Sequence, residues 1–313
     1  MGYALATRLL NGGCDLTIYN RTRSKAEPLV KLGARIVDKP VELADRDIVV
    51  VSVADSPDFA SVMTGANGLL SDGGRVPQVV VDTSTVSIDV SSEIRARAEQ
   101  MGSALLAAPV SGNAKVARAG KLTMAVSGPR SAFDVSLPYL RMLGASVVYV
   151  GEGESARLVK ICHNLMLGIV AQTMAEIAVL AEKGGVSRAD LMAFLNDSVM
   201  GSMFTRYKTP AYVNLDFTPT FTPELLLKDF HLGFEAAKEH GVPMPVAAAA
   251  EQVVQSLVGN GYDDVDFAAL LEYEAKASGL ELKAEDTPVT DGLSEDGDRA
   301  TNGDRPAAAR TAA

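Results

Sequence analysis

A chain of 313 residues, 47% of them hydrophobic, is long enough to bury substantial cores in two domains. Its net charge of −10 and pI near 4.9, with no basic stripe, argue against a nucleic-acid partner. Cys14 and Cys162 lie far apart and read as two free thiols in a reducing compartment rather than a disulfide. No signal peptide is recognised. Met1-Gly2 is a poor acylation start, because Ala6 stands where Ser or Thr is needed. The expectation is a soluble, cytoplasmic protein.

Residues 2–10 read as a helix closed by Gly12-Gly13, and 15–19 as a short strand running into Asn20-Arg21-Thr22. A dinucleotide-binding unit consists of a strand, the turn G-x-G-x-x-G, such a helix and a second strand. Here the first strand and first two glycines are absent, and Gly2 stands where the third would be. This is read as a start codon assigned too late, with the expectation that the chain as it stands expresses poorly or binds NADPH weakly.

Strand-like runs follow at 34–37, 47–53, 78–82, 103–107, 122–127 and 146–150. Helical segments lie between most of them, at 24–32, 56–63, 87–101 and 130–143. Continuous apolar strands alternating with helices predict a parallel sheet covered on both faces, with ligands at the strands' carboxyl ends. Polar loops leave those ends at Asn20-Arg21-Thr22, at 82–85 and at 109–113. At the first of them an acidic residue would accept from the ribose hydroxyls of NAD. An amide and a guanidinium stand there instead and favour the 2′-phosphate of NADPH, with NAD still possible. The plain alternative is a solvated turn.

The stretch 151–182 is free of proline and ends in Lys183-Gly184-Gly185, a basic last turn before helix-stopping glycines; Ser155 can cap its start. Apolar residues run nearly all the way round, which predicts a buried helix. His163, Asn164, Gln172 and Glu176 interrupt it, so it does not read as a membrane span. Lys160 and Asn164, four residues apart, share one face. Lys160 either snorkels to the surface or is a cationic proton donor with an amide beside it.

Beyond residue 150 no strand pattern appears. Helices are expected at 186–196, 225–240, 246–259 and 266–277, with a turn at Met200-Gly201-Ser202 and a loop at 217–223. The predicted organisation is a dinucleotide-binding domain over 1–150, an all-helical domain over 151–280 and a disordered acidic tail over 281–313.

Four segments together resemble one family, the β-hydroxyacid dehydrogenases, which includes 3-hydroxyisobutyrate dehydrogenase, tartronate semialdehyde reductase and the glyoxylate/succinic semialdehyde reductases. They are Met1-Gly2 with Asn20-Arg21-Thr22, Ala108-Pro109-Val110-Ser111-Gly112, Gly151-x-Gly153 with Lys160 and Asn164, and Lys228-Asp229. Each is modest alone, and the ordered set is specific. The resemblance implies a Rossmann-type, mostly parallel α/β sheet lacking its first strand. A long interdomain helix leads from it to a helical domain like that of 6-phosphogluconate dehydrogenase. Assembly as a homodimer or homotetramer through that domain is implied as well.

The same resemblance implies hydride transfer between nicotinamide and a small carboxylate-bearing hydroxyacid or its semialdehyde. Lys160 exchanges the oxygen's proton and Asn164 helps to hold that oxygen and the lysine. Ser111, Gly112 and Asn113 bind the substrate. Gly2, Asn20, Arg21, Thr22, Val53, Thr85 and Lys228 lie against NADP, with Asp229 orienting Lys228. No metal is implied. Asn113 and His163 depart from the family pattern, which usually has a second glycine and a second asparagine there; His163 is read as packing the helix or supporting the site from behind. The alternatives are an NADP-binding paralogue without turnover, a structural or regulatory module that has kept the fold and, less favoured because such proteins usually replace the lysine, an imine reductase.

Overall fold

The computed structural model describes residues 1–71 and 73–293. The chain packs as two compact units, one formed by Met1–Gln172 with Pro219–Phe267, the other by Thr173–Thr218 with the chain from Ala268 onward.

The first unit opens with helix α1 (Gly2–Asn11), which buries Ala4, Leu5 and Leu9, and the short strand β1 (Thr17–Ile18). Where one α-helix is expected over 24–32 the chain forms two 3₁₀ segments, Arg23–Lys25 and Glu27–Leu32. Pro28 is the reason, since it lacks an N–H and disfavours helical geometry at the residue before it. Next come β2 (Arg35–Ile36), β3 (Ile48–Val51), α2 (Ser56–Thr64), β4 (Val79–Asp82), α3 (Ile88–Gln100) and β5 (Ala104–Ala107). The side chain of Asp55 caps α2, and that of Ser87 caps α3.

Strands β1 and β2 pair in parallel, and β3, β4 and β5 form a second parallel piece in that order. Every residue of β4 is buried, as in a parallel strand covered on both faces. Among the described residues no strand bridges β1 and β3. In the doubly wound order the strand preceding the glycine turn lies at that place.

The loop expected over 109–113 contains a short strand, β6 (Val110–Ser111), and leads into a helix not foreseen, α4 (Ala114–Arg118). Strand β7 (Thr123–Val126), helix α5 (Arg130–Leu143) and strand β8 (Ser146–Tyr149) follow. β6 runs antiparallel to β7, which is parallel to β8, and a bridge between Ala107 and Ser127 joins β5 to this piece.

Helix α6 (Ser155–Lys183) is continuous and passes from the first unit into the second. It is long and apolar enough to cross a bilayer by length and composition, but half of its most apolar stretch is buried in the protein. It is not apolar-buried all round as expected: Met166 is 67% and Leu180 72% exposed. Ser155 is its first residue rather than its cap, and the hydroxyl donates back to the carbonyl of Glu152.

In the second unit α7 (Arg188–Asp197) packs on α8 (Met203–Asn214), a helix the sequence reading leaves unassigned. Its residues are largely aromatic and β-branched and Pro210 lies inside it, so propensity argues against a helix. The capping box between Ser202 and Thr205 starts it nonetheless. The chain returns to the first unit as α9 (Pro223–Glu239) and α10 (Pro245–Gly259), and α11 (Leu270–Ala277) completes the second. By packing, the first compact unit runs on into α6, because α9 comes back to pack on the first half of α6.

The segment expected as a disordered tail is bound over its first part. Arg188, fully buried, donates to the carbonyls of Tyr212, Val213 and Lys283, and Glu285 accepts from the backbone N–H groups of Arg188 and Ala189. Asn214 and Thr287 exchange hydrogen bonds, and Leu293 is buried. A buried guanidinium must find acceptors, and the chain after residue 281 supplies several of them. Residues 294–313 lie outside the described residues.

Candidate active site

The first half of α6 is fixed at both ends. At its start Arg157 is buried with its side chain 1% exposed, donating to Asp82 (2.7 Å), Glu154 (2.9 Å) and the carbonyl of Ser84 (3.1 Å). Arg95 on α3 meets the same Glu154 (2.7 Å) and the carbonyl of Gly153. Two guanidiniums and two carboxylates thus satisfy one another and lock the first turn of α6 to the end of β4.

One turn past Asn164 the helix meets α9 at glycines. A Cβ on Gly168 would lie 2.5 Å from the Phe230 ring, and one on Gly233 2.5 Å from Leu165. Both distances are far inside van der Waals contact, so the two helices approach closer than any side chain at these positions permits. That approach brings Asp229 of α9 against Asn164.

Asn164, buried, donates from its amide nitrogen to Asp229 Oδ2. Asp229 Oδ1 lies 3.3 Å from Lys228 Nζ, too poorly aligned for a hydrogen bond but a close ion pair. Lys228 donates to the carbonyl of Thr85 at 3.1 Å. On the other side Asn164 Oδ1 lies 2.8 Å from His163 Nδ1, and His163 Nε2 lies 2.9 Å from Ser111 Oγ. A single chain of four hydrogen bonds and one ion pair therefore runs from Ser111 through His163, Asn164, Asp229 and Lys228 to Thr85.

Lys160 stands beside this chain with no hydrogen-bond or ion-pair partner among the described residues. Burial pushes its ammonium down from 10.5 to about 8; Asp229 pulls the other way and Lys228 adds to the depression. Burial, and then the charge of Lys160, also hold His163 below its ordinary value.

Gly112 has φ +118°, and a Cβ there would meet Val116 and Leu122 at 2.7 and 2.8 Å, so only glycine fits. Among the described residues the backbone N–H groups of Gly112 and Asn113 make no hydrogen bond. Asn113 caps α4, its Oδ1 accepting from the N–H groups of Lys115 and Val116. Its side-chain NH₂ is left for a ligand.

The residues expected at the cofactor divide. Thr85 and Lys228 belong to the chain just described. Asn20, Arg21 and Thr22 sit past the end of β1, where Asn20 donates to the Thr22 carbonyl and Arg21 pairs with Asp58 at 2.7 Å, its side chain 80% exposed. The Val53 N–H is already taken by Ser84 Oγ. A Cβ on Gly2 would make ordinary contact with Ser52 at 3.7 Å, so the structure does not demand glycine there. An exposed guanidinium at the end of β1, with no carboxylate in its place, fits a 2′-phosphate.

Sequence reasoning did not single out Arg157, Arg95 or Ser84. A guanidinium within an apolar helix face, three residues after Glu154, was the available signal. Sequence reasoning took Asp229 as orienting Lys228 and His163 as packing the helix or supporting the site from behind; in the structure both bond Asn164.

Residues 1–151 match the family model described as the NAD binding domain of 6-phosphogluconate dehydrogenase. Residues 154–273 match that described as NAD-binding of NADP-dependent 3-hydroxyisobutyrate dehydrogenase. Glyoxylate/succinic semialdehyde reductase 2 of Arabidopsis thaliana is 30% identical over 87% of this chain and 76% of its own length. Mitochondrial 3-hydroxyisobutyrate dehydrogenase of Rattus norvegicus is 27% identical over 87% and 84%. A crystal structure of 3-hydroxyisobutyrate dehydrogenase from Salmonella typhimurium superposes with a TM-score of 0.79 at 25% identity, covering 87% of this chain and 95% of that one. Family models over 1–151 and 154–273, a relative 30% identical over most of both chains and a solved structure of the same kind show that the chain belongs to the β-hydroxyacid dehydrogenase family of NAD(P)-dependent oxidoreductases.

Proposed function

We propose that this protein reduces a small carboxylate-bearing aldehyde, or oxidises the matching β-hydroxyacid, with NADP and Lys160 as the proton carrier. The observation that carries this reading is the desolvated, unpartnered Lys160 ammonium beside an Asn164 held by His163 and Asp229. When bound, the nicotinamide supplies or accepts the hydride. Lys160, lowered to about 8, holds a transferable proton near neutral pH and gives it to the substrate oxygen in reduction or takes it in oxidation. One amide hydrogen of Asn164 is committed to Asp229, and the second is free to hold the same oxygen. The free N–H groups of Gly112 and Asn113 suit the substrate carboxylate. Lys228 and Thr85 border the cofactor, and Arg21 holds the 2′-phosphate in exchange for Asp58.

Large exposed apolar side chains in the second unit, Leu180, Phe194, Val199, Met200 and Met203, support assembly into a homo-oligomer through the helices. A cytoplasmic location accords with two free thiols. The test is consumption of NADPH with glyoxylate and a panel of semialdehydes, each with and without Lys160→Ala. Turnover of a carboxylate-bearing aldehyde that the variant loses supports the reading; cofactor binding with no turnover across the panel overturns it.

A further inference from the structure

The hydrogen bonds around His163 have directions that their chemistry fixes. Asp229, ion-paired with Lys228, only accepts, so the atom of Asn164 facing it is the amide nitrogen. The Asn164 oxygen therefore faces His163 and also only accepts, which places the ring proton on Nδ1. The imidazole is held below its ordinary pKa by burial and by Lys160, so it is neutral and carries one N–H. Nε2 is left with a lone pair, and Ser111 must spend its only hydrogen on it. What Ser111 Oγ then presents to the rest of the site is lone pairs.

We propose that His163 is a positioning residue that turns Ser111 into a hydrogen-bond acceptor toward the substrate, so that the preferred acid carries a second hydroxyl beside the one that exchanges hydride. This rests on the site being that of a hydroxyacid dehydrogenase. A carboxylate against Ser111 would set acceptor against acceptor, with no hydrogen between them. The carboxylate belongs instead at the free N–H groups of Gly112 and Asn113. The second hydroxyl donates to Ser111 Oγ, and the chain from Ser111 to Asp229 holds that oxygen still. A site built around a substrate hydroxyl discriminates against the analogue lacking it, because its own polar atom is then left unpaired.

Glycerate and 3-hydroxypropanoate differ by this one hydroxyl. Each is titrated calorimetrically into the protein saturated with NADPH, a complex in which neither acid can be oxidised. Glycerate is expected to bind about tenfold more tightly or better. Ser111→Ala and His163→Leu are each expected to bring the two acids to within about twofold of one another, and the double variant to add nothing further. A residue that merely packs the helix would weaken both acids alike and leave their ratio unchanged. The proposal is overturned by equal affinities in the unmodified protein, by a ratio that survives either single variant, or by failure of both acids to bind; if His163→Leu does not fold, Ser111→Ala decides. Oxidation of the two acids with NADP on the same sample keeps the readings apart. Turnover with equal affinities sinks only the role of His163, whereas no turnover of any acid or aldehyde sinks the dehydrogenase reading itself.

Discussion

Lys160→Met is expected to remove most of the turnover while making the protein more stable. The folded protein lowers this ammonium from 10.5 to about 8, mainly by burial. A depression of that size corresponds to roughly 3 kcal/mol of native-state cost for the charged form. The sign follows from the order of the two values: above pH 10.5 the amine is neutral folded or unfolded and costs nothing, and as pH falls through about 8 the cost is complete. Methionine keeps much of the length and apolar stem without the charge. Lys160 makes no hydrogen bond to Asn164, His163 or Asp229, so the neighbouring network stays satisfied when the ammonium is removed. The variant should gain up to about 3 kcal/mol near neutral pH, raising Tm by several degrees, and the gain should shrink toward pH 10.5. Its kcat should fall by roughly two to four orders of magnitude. In the unmodified enzyme kcat/KM for reduction should decline as pH rises through about 8, where the proton donor is lost, while that for oxidation rises through the same range. Urea denaturation at several pH values and steady-state kinetics on both proteins measure these quantities. A variant with near-normal kcat, or one less stable than its parent at neutral pH, would refute the account of Lys160.

Arg21→Ala should weaken NADPH binding by about tenfold or more and leave NADH nearly unchanged, because only NADPH carries the phosphate a guanidinium clamps; equal losses in a calorimetric titration would remove Arg21 from the choice. Gly168→Ala places a methyl group 2.5 Å from Phe230 and should lower stability by about 1–3 kcal/mol, with kcat falling as Asp229 is pushed off Asn164; an unchanged Tm and kcat would show that the approach of α9 is not so constrained. Glu285→Ala leaves two backbone N–H groups and the buried Arg188 short of an acceptor, and should cost about 1–3 kcal/mol in urea denaturation. No loss there would mean that the segment after residue 281 contributes nothing.

Repeated apolar runs with intervening amphipathic stretches were enough to place most of the strands and the long helix, because burial on both faces forces a pattern that survives without tertiary information. The same holds for α5, which lies over the residues expected, and for Lys160 and Asn164, whose spacing alone puts them on one helical face. Two proline-bearing stretches were misread. α8 forms despite Pro210 and its β-branched residues, and Pro28 turns an expected helix into 3₁₀ turns.

Composition also misjudged the segment 281–293, expected as the start of a disordered tail. Its acidic, Ala- and Thr-rich sequence buries little by itself, and nothing local reveals that a fully buried Arg188 nearly a hundred residues earlier needs its carbonyl and carboxylate groups. The site shows the division most clearly. Sequence supplied Ser111, Lys160, Asn164, Lys228 and Asp229 as residue types suited to their roles. Only the close approach of two helices at Gly168 and Gly233, and the neutral imidazole between Ser111 and Asn164, decided that Ser111, Asn164, Asp229 and Lys228 are joined in one chain with Lys160 beside it. Hydrogen-bond direction depends on which acceptor faces which donor across elements far apart in sequence, and no one-dimensional pattern records that.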